Sequence, residues 1–225
     1  MAKKAYIGVD GIAHKIKKGY IGVNGVARKI KKAYIGIGGV ARPCWSGGEL
    51  AYYGTATSLS VARQDLAATT VGDYALFGGG HYVGDDGYLV NSAMVDAYNK
   101  SLTRTTATSL RAARPDLAAT TIGNYALFGG GRVGGSLSAV VDAYDTSLTR
   151  TTPTALSERR EHLAATAVGN YALFGGGWNG SYSAVTDAYD TSLTRVNIGH
   201  LWTERFDLAA TTIGNYALFG GGGGS

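Results

Sequence analysis

The chain has 225 residues, of which 45% are hydrophobic and 16% are charged, a balance that predicts a folded chain rather than a disordered one. Its 35 glycines follow no Gly-X-Y period, which excludes collagen, and they disfavour a helical bundle because glycine costs about 1 kcal/mol at each helical site. One cysteine and four histidines without metal-ligand spacing exclude a disulfide-stapled or zinc-built fold, so we expect no metal site and no cofactor.

Positive charge is concentrated in the first part of the chain. Residues 1–46 hold eight Lys and two Arg against one Asp, which gives +9, and the remaining eleven basic and fifteen acidic residues give −4. A basic segment of this kind indicates an arm that faces an anionic surface or docks on a larger assembly. The alternative is that the lysines only keep exposed strand edges soluble.

A 14-residue repeat accounts for this basic arm. Its three copies begin at Lys4, Lys18 and Lys32, and each places Asp-Gly, Asn-Gly or Gly-Gly between β-branched residues. Such pairs favour type I′ turns, so the sequence predicts three short hairpins and a first domain at residues 1–40. Because a hairpin has little core of its own, we expect the arm to need a partner surface, including other copies of the chain in a homo-oligomer.

A longer repeat of 45 to 51 residues follows. Its first half is nearly identical in copies that begin at Leu66, Leu117, Leu163 and Leu208, and its second half occurs three times. Each copy predicts four short strands, named a to d: a is Leu66 to Val71, b is Tyr74 to Gly78, c is about Ala93 to Tyr98, and d is about Leu102 to Thr106. Four strands in this length is the period of a β-propeller blade.

The longer repeat resembles the kelch repeat over about residues 41–225. The residues that carry the resemblance are an Arg that opens strand a, a Gly pair that closes strand b, and a Tyr followed by Asp or Asn at the end of strand c: Arg63, Arg114, Arg160, Arg205, Tyr98, Tyr144 and Tyr189. Where kelch repeats usually carry a Trp beyond this Tyr, the chain has Thr105, Thr151 and Val196. The resemblance implies an all-β, kelch-like β-propeller of about four blades at residues 41–225.

Two arrangements of the blades remain open. In the first, Val40 to Trp45 serves as a c strand and Leu50 to Leu59 as a d strand, and both pair with the C-terminal a and b strands to close four blades. In the second, the chain forms an open or truncated array. Because the strands alternate in direction, both arrangements place the a–b and c–d turns on one edge and the b–c and d–a loops on the other.

The copies differ almost entirely in the b–c and d–a loops, so we expect recognition at that edge, although exposed loops also drift without function. Aromatic side chains there offer flat apolar area and polar ones offer directional contacts. The predicted ligand-binding residues are Tyr82, Asp85, Asp86, Tyr88, Arg111, Arg132, Arg159, Trp178, Asn179, Tyr182, Trp202 and Phe206. No catalytic residue is predicted, because the Arg and Asp that recur in each copy suit a structural role, and His162 beside Glu161 has no partnered nucleophile.

The arm gives a second resemblance. Its Ala-Tyr-Ile-Gly-Val-Asp-Gly pattern with Lys-Lys spacers, over residues 3–42, is similar to N-terminal repeats of predicted tail or baseplate proteins of Gram-positive prophages. This implies a non-enzymatic virion appendage whose arm docks on tail proteins and whose propeller binds a bacterial surface glycan or protein. One alternative is an intracellular kelch interaction module. A second is an arm that binds nucleic acid, which the net negative charge of the rest of the chain disfavours. A third is a glycan-cleaving enzyme, for which no carboxylate pair is found. We expect no membrane contact, since the chain has no apolar run of roughly 18 residues and no signal peptide, and therefore a virion or cytoplasmic location.

Overall fold

The computed structural model describes residues 55–224 throughout and, within residues 1–46, the backbone of six strands. The chain divides into two compact units, Met1–Thr55 and Ala56–Ser225. Strands are the main regular elements in both, and the described residues include no helix. The all-β class predicted from the sequence is therefore confirmed.

The N-terminal unit contains three antiparallel hairpins, each with the pairing that the 14-residue repeat predicts. A shift in register interrupts only the third hairpin, between Ala33 and Tyr34. The strands are β1 (Tyr6–Val9), β2 (Ile12–Lys15), β3 (Tyr20–Val23), β4 (Val26–Lys29), β5 (Lys32–Ile37) and β6 (Val40–Ser46). The predicted c strand Val40 to Trp45 thus lies in β6, which pairs with β5. Of the predicted d strand Leu50 to Leu59, residues 50–54 lie outside the described residues and residues 55–59 form no strand.

The C-terminal unit contains three antiparallel four-stranded sheets, each with its strands in the order a–b–c–d. The first sheet is β7 (Gln64–Val71), β8 (Tyr74–Val83), β10 (Val95–Tyr98) and β11 (Arg104–Thr106), with β9 (Leu89–Asn91) added to the end of β8. The second is β12 (Leu117–Ile122), β13 (Tyr125–Gly130), β16 (Val141–Tyr144) and β17 (Arg150–Thr151), and a small hairpin, β14 (Arg132–Val133) with β15 (Ser136–Leu137), lies between β13 and β16. The third is β18 (Ala164–Val168), β19 (Tyr171–Gly175), β20 (Val185–Tyr189) and β21 (Arg195–His200).

Only two strands of a fourth copy are present among the described residues. They form the terminal pair, β23 (Ala209–Ile213) with β24 (Tyr216–Gly220). Beside it, β22 (Arg205–Phe206) pairs with β25 (Gly223–Gly224). The a strands β7, β12, β18 and β23 lie next to one another in that order, so the sheets follow each other in space as they do in sequence.

The hydrophobic core lies between consecutive sheets rather than within any one of them. Between the first and second sheets, Val71 and Leu76 pack with Phe128 and Tyr144, all at most 1% exposed. The next interface repeats this arrangement with Ile122, Leu127, Phe174 and Tyr189. Since no sheet buries its own apolar residues alone, each one depends on its neighbour.

Glycine on strand b permits this close approach. A β-carbon on Gly78 would lie 2.8 Å from Cε1 of Phe128 in the next sheet. A β-carbon on Gly129 would lie 2.8 Å from Cε1 of Phe174, and a β-carbon on Gly175 would lie 2.7 Å from Cε1 of Phe219. A side chain at these positions would displace an aromatic ring of the following sheet, which explains why the repeat keeps glycine there.

A buried ion pair ties the strands of every complete sheet. Arg63 contacts Asp96 at 2.8 Å and Arg114 contacts Asp142 at 2.8 Å, with all four side chains fully buried, and Arg160 contacts Asp187 in the same way. Burial lowers the pKa of Arg114, and the Asp142 carboxylate opposes this shift. Their repetition and burial fit the structural role predicted from the sequence.

Candidate functional site

The strands of each sheet end in turns on one side and in longer loops on the other. These two sides, here called the turn edge and the loop edge, are chemically different. On the turn edge, formed by the a–b and c–d turns, the copies repeat the same contacts: Oδ1 of Asn99, Asp145 and Asp190 each accepts the N–H of the serine two residues further on, at 2.9 Å. On the loop edge, formed by the b–c loops and the connectors that lead into strand a, the contacts differ from copy to copy. The copies therefore differ chemically at the loop edge and resemble one another at the turn edge.

A run of backbone hydrogen bonds crosses the loop edge. The N–H of Asp116 donates to the carbonyl of Asp65 at 3.1 Å, His162 donates to Asp116 at 3.1 Å, and Asp207 donates to His162 at 3.0 Å. All four residues have positive φ, between 52° and 58°. These equivalent positions, each just before strand a, therefore bring one polar side chain from every copy to the same region.

An ion-pair network lies around this run. The possible ligand atoms of Asp116, Glu161 and His162 lie within 4.8 Å of one another. Arg132 Nε donates to Glu161 Oε2 at 2.6 Å, and His162 Nδ1 lies 2.8 Å from Asp207 Oδ1. Burial raises the pKa of Asp116, and the carboxylates of Asp65 and Glu161 add to this shift while His162 opposes it.

Carboxylate and imidazole groups at this spacing are the ligand types that bind divalent transition metals. Here, however, the Arg132 guanidinium already balances Glu161, which is only 4% exposed. The group as it stands is a charge network between the second and third sheets and the terminal pair. It presents the exposed Asp207 and the half-buried Asp116 and His162 to a polar ligand.

Three predicted binding residues form an aromatic cluster beside this network. The ring centroid of Trp178 lies 5.5 Å from that of Tyr182 and 6.1 Å from that of Phe206, and Tyr182 stacks on Phe206 at 5.2 Å with an interplanar angle of 5°. The imidazole of His162 meets the edge of Phe206 at 6.4 Å. All three aromatic side chains are half-buried, so part of each ring faces solvent.

Polar groups border the cluster on its other side. The amide of Asn179 donates to Glu158 Oε2 at 2.9 Å, and Ser183 Oγ donates to the same oxygen at 3.3 Å. Reciprocal backbone hydrogen bonds between Glu161 and Trp178, at 3.1 and 2.8 Å, fix the indole against the network. A half-buried aromatic surface with carboxylate, amide and imidazole groups at its border can stack on a flat ligand face and hydrogen-bond its rim.

A second group of predicted residues lies apart, on the hairpin of β8 and β9. Tyr82, Asp85 and Asp86 line an open groove of about 520 Å³ together with Val61 and Val90. Asp86 Oδ1 accepts the N–H of Tyr88 at 3.1 Å and so helps to close the hairpin turn. Tyr88 itself is 74% exposed.

The remaining predicted residues do not join either group. The backbone N–H of Arg111 donates to Asp142, and its side chain is exposed. Arg159 lines an open groove with Val133 and Ala139, and Trp202 is fully exposed. The structure therefore places the predicted residues along one edge but concentrates only Arg132, Trp178, Asn179, Tyr182 and Phe206.

Sequence reasoning missed Glu161, His162 and Asp207 as members of the site. Their signal was present in the aligned repeats, where Asp65, Asp116, His162 and Asp207 occupy one position and Gln64, Pro115, Glu161 and Phe206 occupy the position before it. These residues would have been found if the aligned positions had been treated as one group in space, instead of being searched for a metal-binding motif along the chain.

Comparisons with known proteins add no relative. No protein-family model matches the chain, and no curated protein matches it significantly. The part of the chain that the structure describes contains no helix with the length and apolarity needed to cross a membrane.

Proposed function

We propose that the three sheets and the terminal pair are consecutive blades of a kelch-like β-propeller. Support comes from the four a strands, which lie side by side, and from the backbone hydrogen bonds that join Asp65, Asp116, His162 and Asp207 in sequence. Side-by-side a strands with d strands at the far end of each sheet are what a radial array requires. The proposal includes the closure of four blades into a ring.

On this scaffold the chain acts as a non-enzymatic recognition protein whose loop edge binds a bacterial surface glycan. The observation that carries this proposal is the cluster of Trp178, Tyr182 and Phe206 beside His162 and Asp207. A sugar ring has an apolar face for the aromatic rings and hydroxyl groups for the carboxylate and amide oxygens.

The setting that fits this activity is a phage or prophage tail. The three hairpins of the N-terminal unit carry the sequence repeat that resembles tail and baseplate proteins, and the lysines of residues 1–46 provide positive charge for docking. In this proposal the arm binds virion proteins and the loop edge binds the host surface.

A protein ligand is the second candidate, as in an intracellular interaction module. It is favoured by the β8–β9 hairpin, where Val83, Tyr88 and Leu89 are 66%, 74% and 65% exposed. Exposed apolar side chains of this kind suit a protein surface better than a sugar.

Binding to purified Gram-positive cell walls tests the proposal. Trp178→Ala and Phe206→Ala should each weaken retention about tenfold or more, because each removes a central aromatic contact. Trp202→Ala is the matched control, since this fully exposed indole lies outside the cluster and its loss should change little. Circular dichroism of each variant verifies folding.

Two results would count against glycan recognition. One is unchanged binding in both cluster variants, and the other is equal loss in the Trp202→Ala control. Loss of binding only in Tyr88→Ala, with a protein ligand recovered on the hairpin, would favour the second candidate.

A further inference from the structure

A polar pocket of about 440 Å³ lies beside strands c and d of the third sheet. Its lining comes from the connector that leads into β18 and from β20 and β21. Thr186 and Asp187 are buried within it. Glu158 and Arg195 are half-buried and His200 is exposed. The pocket is more enclosed than the groove at the β8–β9 hairpin, and its volume lies in the range of about 300–1,000 Å³ that small-molecule sites occupy.

A β-bulge in β21 shapes one wall of this pocket. Val185 lies opposite His200, and Asp187 lies opposite Asn197. Two residues of β21 therefore face a single residue of β20, which is the pattern of a bulge. Within it, the N–H of Gly199 donates to Asn197 Oδ1 at 3.1 Å. In the second sheet β17 pairs with β16 without a shift in register, so the bulge that brings Asn197 and His200 to the pocket is particular to the third sheet.

The polar lining is also particular to the third copy. A carboxylate, a hydroxyl, an amide and an imidazole line the pocket there: Glu158, Thr186, Asn197 and His200. The second copy has Ala112, Val141, Thr152 and Ala155 at these positions, and the first copy has Val61, Val95, Thr106 and Ser109. Because the other two sheets fold without these groups, the sheet itself does not require them. A ligand for this pocket would account for them.

The arginine of the pocket is fixed in place but not fully paired. Arg195 Nη1 donates to Asp187 Oδ1 at 3.1 Å, and the described residues give the guanidinium no further hydrogen-bond acceptor. In the second sheet the equivalent Arg150 also donates to Thr152 Oγ1, at 3.3 Å. The side chain of Arg195 is 33% exposed, so its other N–H groups are accessible to a ligand.

Acceptors and further donors lie on the same lining. Glu158 uses only Oε2 for its hydrogen bonds to Asn179 and Ser183, which leaves Oε1 without a partner among the described residues. Asn197 uses only its oxygen, so its amide N–H groups have no described acceptor. The imidazole of His200 can donate or accept. Donors and acceptors in this mixture suit sugar hydroxyls, because each hydroxyl can also do both.

Glu158 is shared by the pocket and the aromatic cluster. Its hydrogen-bond partners Asn179 and Ser183 adjoin Trp178 and Tyr182 in the chain, and these two rings belong to the cluster. One carboxylate therefore lies on the border of both surfaces. A ligand that stacks on the rings can continue past Glu158 into the pocket.

We propose that this pocket is a second sugar subsite, so that the loop edge binds an oligosaccharide of at least two rings. The first ring stacks on the aromatic cluster. The next ring enters the pocket, where Glu158, Arg195 and Asn197 contact its hydroxyl groups. This second subsite rests on the glycan recognition proposed above, to which it adds the length of the ligand. Hydrogen bonds to the charged groups of the pocket are stronger than those between neutral groups, so the second ring adds affinity.

Sugar fragments released from purified Gram-positive cell walls, separated into a one-ring and a three-ring fraction, test the proposal with the full chain. In titration calorimetry the parent chain should bind the three-ring fraction at least about tenfold more tightly. Asn197→Asp and His200→Ala should each remove most of this advantage. Asn197→Asp keeps the oxygen that accepts the N–H of Gly199, so it preserves the bulge while it replaces donors by an acceptor. Thr152→Asp, at the equivalent position of the second copy, is the matched control and should bind as the parent chain does.

Hydrogen exchange locates the contact without any substitution. Exchange across Arg195–His200 should slow with the three-ring fraction and not with the one-ring fraction, and this measurement decides the question if a variant fails to fold. Equal binding of the two fractions by the parent chain would overturn the second subsite. So would pocket variants that bind as the parent chain does, and glycan recognition would then stand provided that Trp178→Ala still weakens binding.

The two parts of the proposed surface are separable in the same experiment. Loss of binding in the pocket variants with full binding in Trp178→Ala would make the pocket a separate site and overturn a ligand that spans both. No binding of either fraction, together with no retention on intact cell walls, would remove glycan recognition itself and the second subsite with it.

Discussion

Phe128 lies against Gly78 of the preceding sheet, with its Cε1 2.8 Å from the site of a β-carbon on that glycine. Because the ring is fully buried, it has no free space into which to move. Gly78→Ala should therefore destabilise the protein by about 1–3 kcal/mol through overpacking. Gly220→Ala, at the equivalent site with no described atom within 4 Å, should be nearly neutral. Urea unfolding of the two variants gives the comparison, and equal losses would refute this account of the interface.

Asp142 should be far more sensitive to substitution than an exposed carboxylate. Its oxygens lie 2.8 Å from both Arg114 and Arg150, and its side chain is fully buried. Asp142→Asn leaves a buried guanidinium without its counter-charge, so we expect a loss of about 3–5 kcal/mol in the free energy of unfolding. Asp73→Asn removes a pair that is 67% exposed at both partners and should cost no more than about 1 kcal/mol. Similar losses in thermal unfolding would contradict a structural role for the buried pair.

Tyr144 should make the protein sensitive to alkali. Burial raises the pKa of Tyr144 far above its usual range, and the Asp142 carboxylate adds to this shift. The unfolded chain ionises this phenol near pH 10 and the folded chain does not, so the contribution of Tyr144 to stability is constant below that pH and falls above it. Tyr144→Phe should cost about 1 kcal/mol at neutral pH, because the hydroxyl donates to Thr108 O at 2.8 Å, and should reduce the alkaline loss.

The control for this prediction is Tyr216→Phe, because Tyr216 is 73% exposed. Its stability should follow the parent chain at every pH. A steep alkaline loss that Tyr144→Phe leaves unchanged would assign the effect to another group.

Asp116→Asn should stabilise the protein at neutral pH. Burial raises the pKa of Asp116 in the folded state, so the unfolded chain releases this proton first and stability falls as the pH rises above about 3.8. The advantage of Asn should disappear as the pH falls below about 3.8, where the carboxyl is protonated in both states. Asn also tolerates the positive φ of 58° at this position. Chemical unfolding at pH 7 and pH 3 tests this, and an equal gain at both values would exclude the electrostatic cause.

Local repeats made the four-strand sheets predictable. Alternating apolar residues, Gly-Asn turns and the polar c–d turns set the strand limits, and β7, β8, β10 and β11 lie where the pattern placed them. The sequence predicted that Gly78 allows close packing. It did not predict that Phe128 is the residue packed against it, because Phe128 lies 50 residues further along the chain and only the geometry between the sheets brings the two together.

The site was less predictable for the same reason. Variation among the copies correctly directed attention to the loops, and Trp178, Tyr182 and Phe206 do come together. It could not separate them from Trp202, which is fully exposed and occupies the position of the exposed Ser60, Arg111 and Ser157 in the other copies. Nor could it show that His162 would meet Asp207, which is contributed by the next copy.

Cores that lie only between sheets also determine where the C-terminal unit opens first. The terminal pair is covered on one side alone, so its amides should exchange with solvent ahead of those in the second sheet, which is enclosed by neighbours on both sides. Loss of that pair would in turn expose Gly175 of the third sheet, and opening would then advance inward, one sheet at a time, toward the middle of the unit.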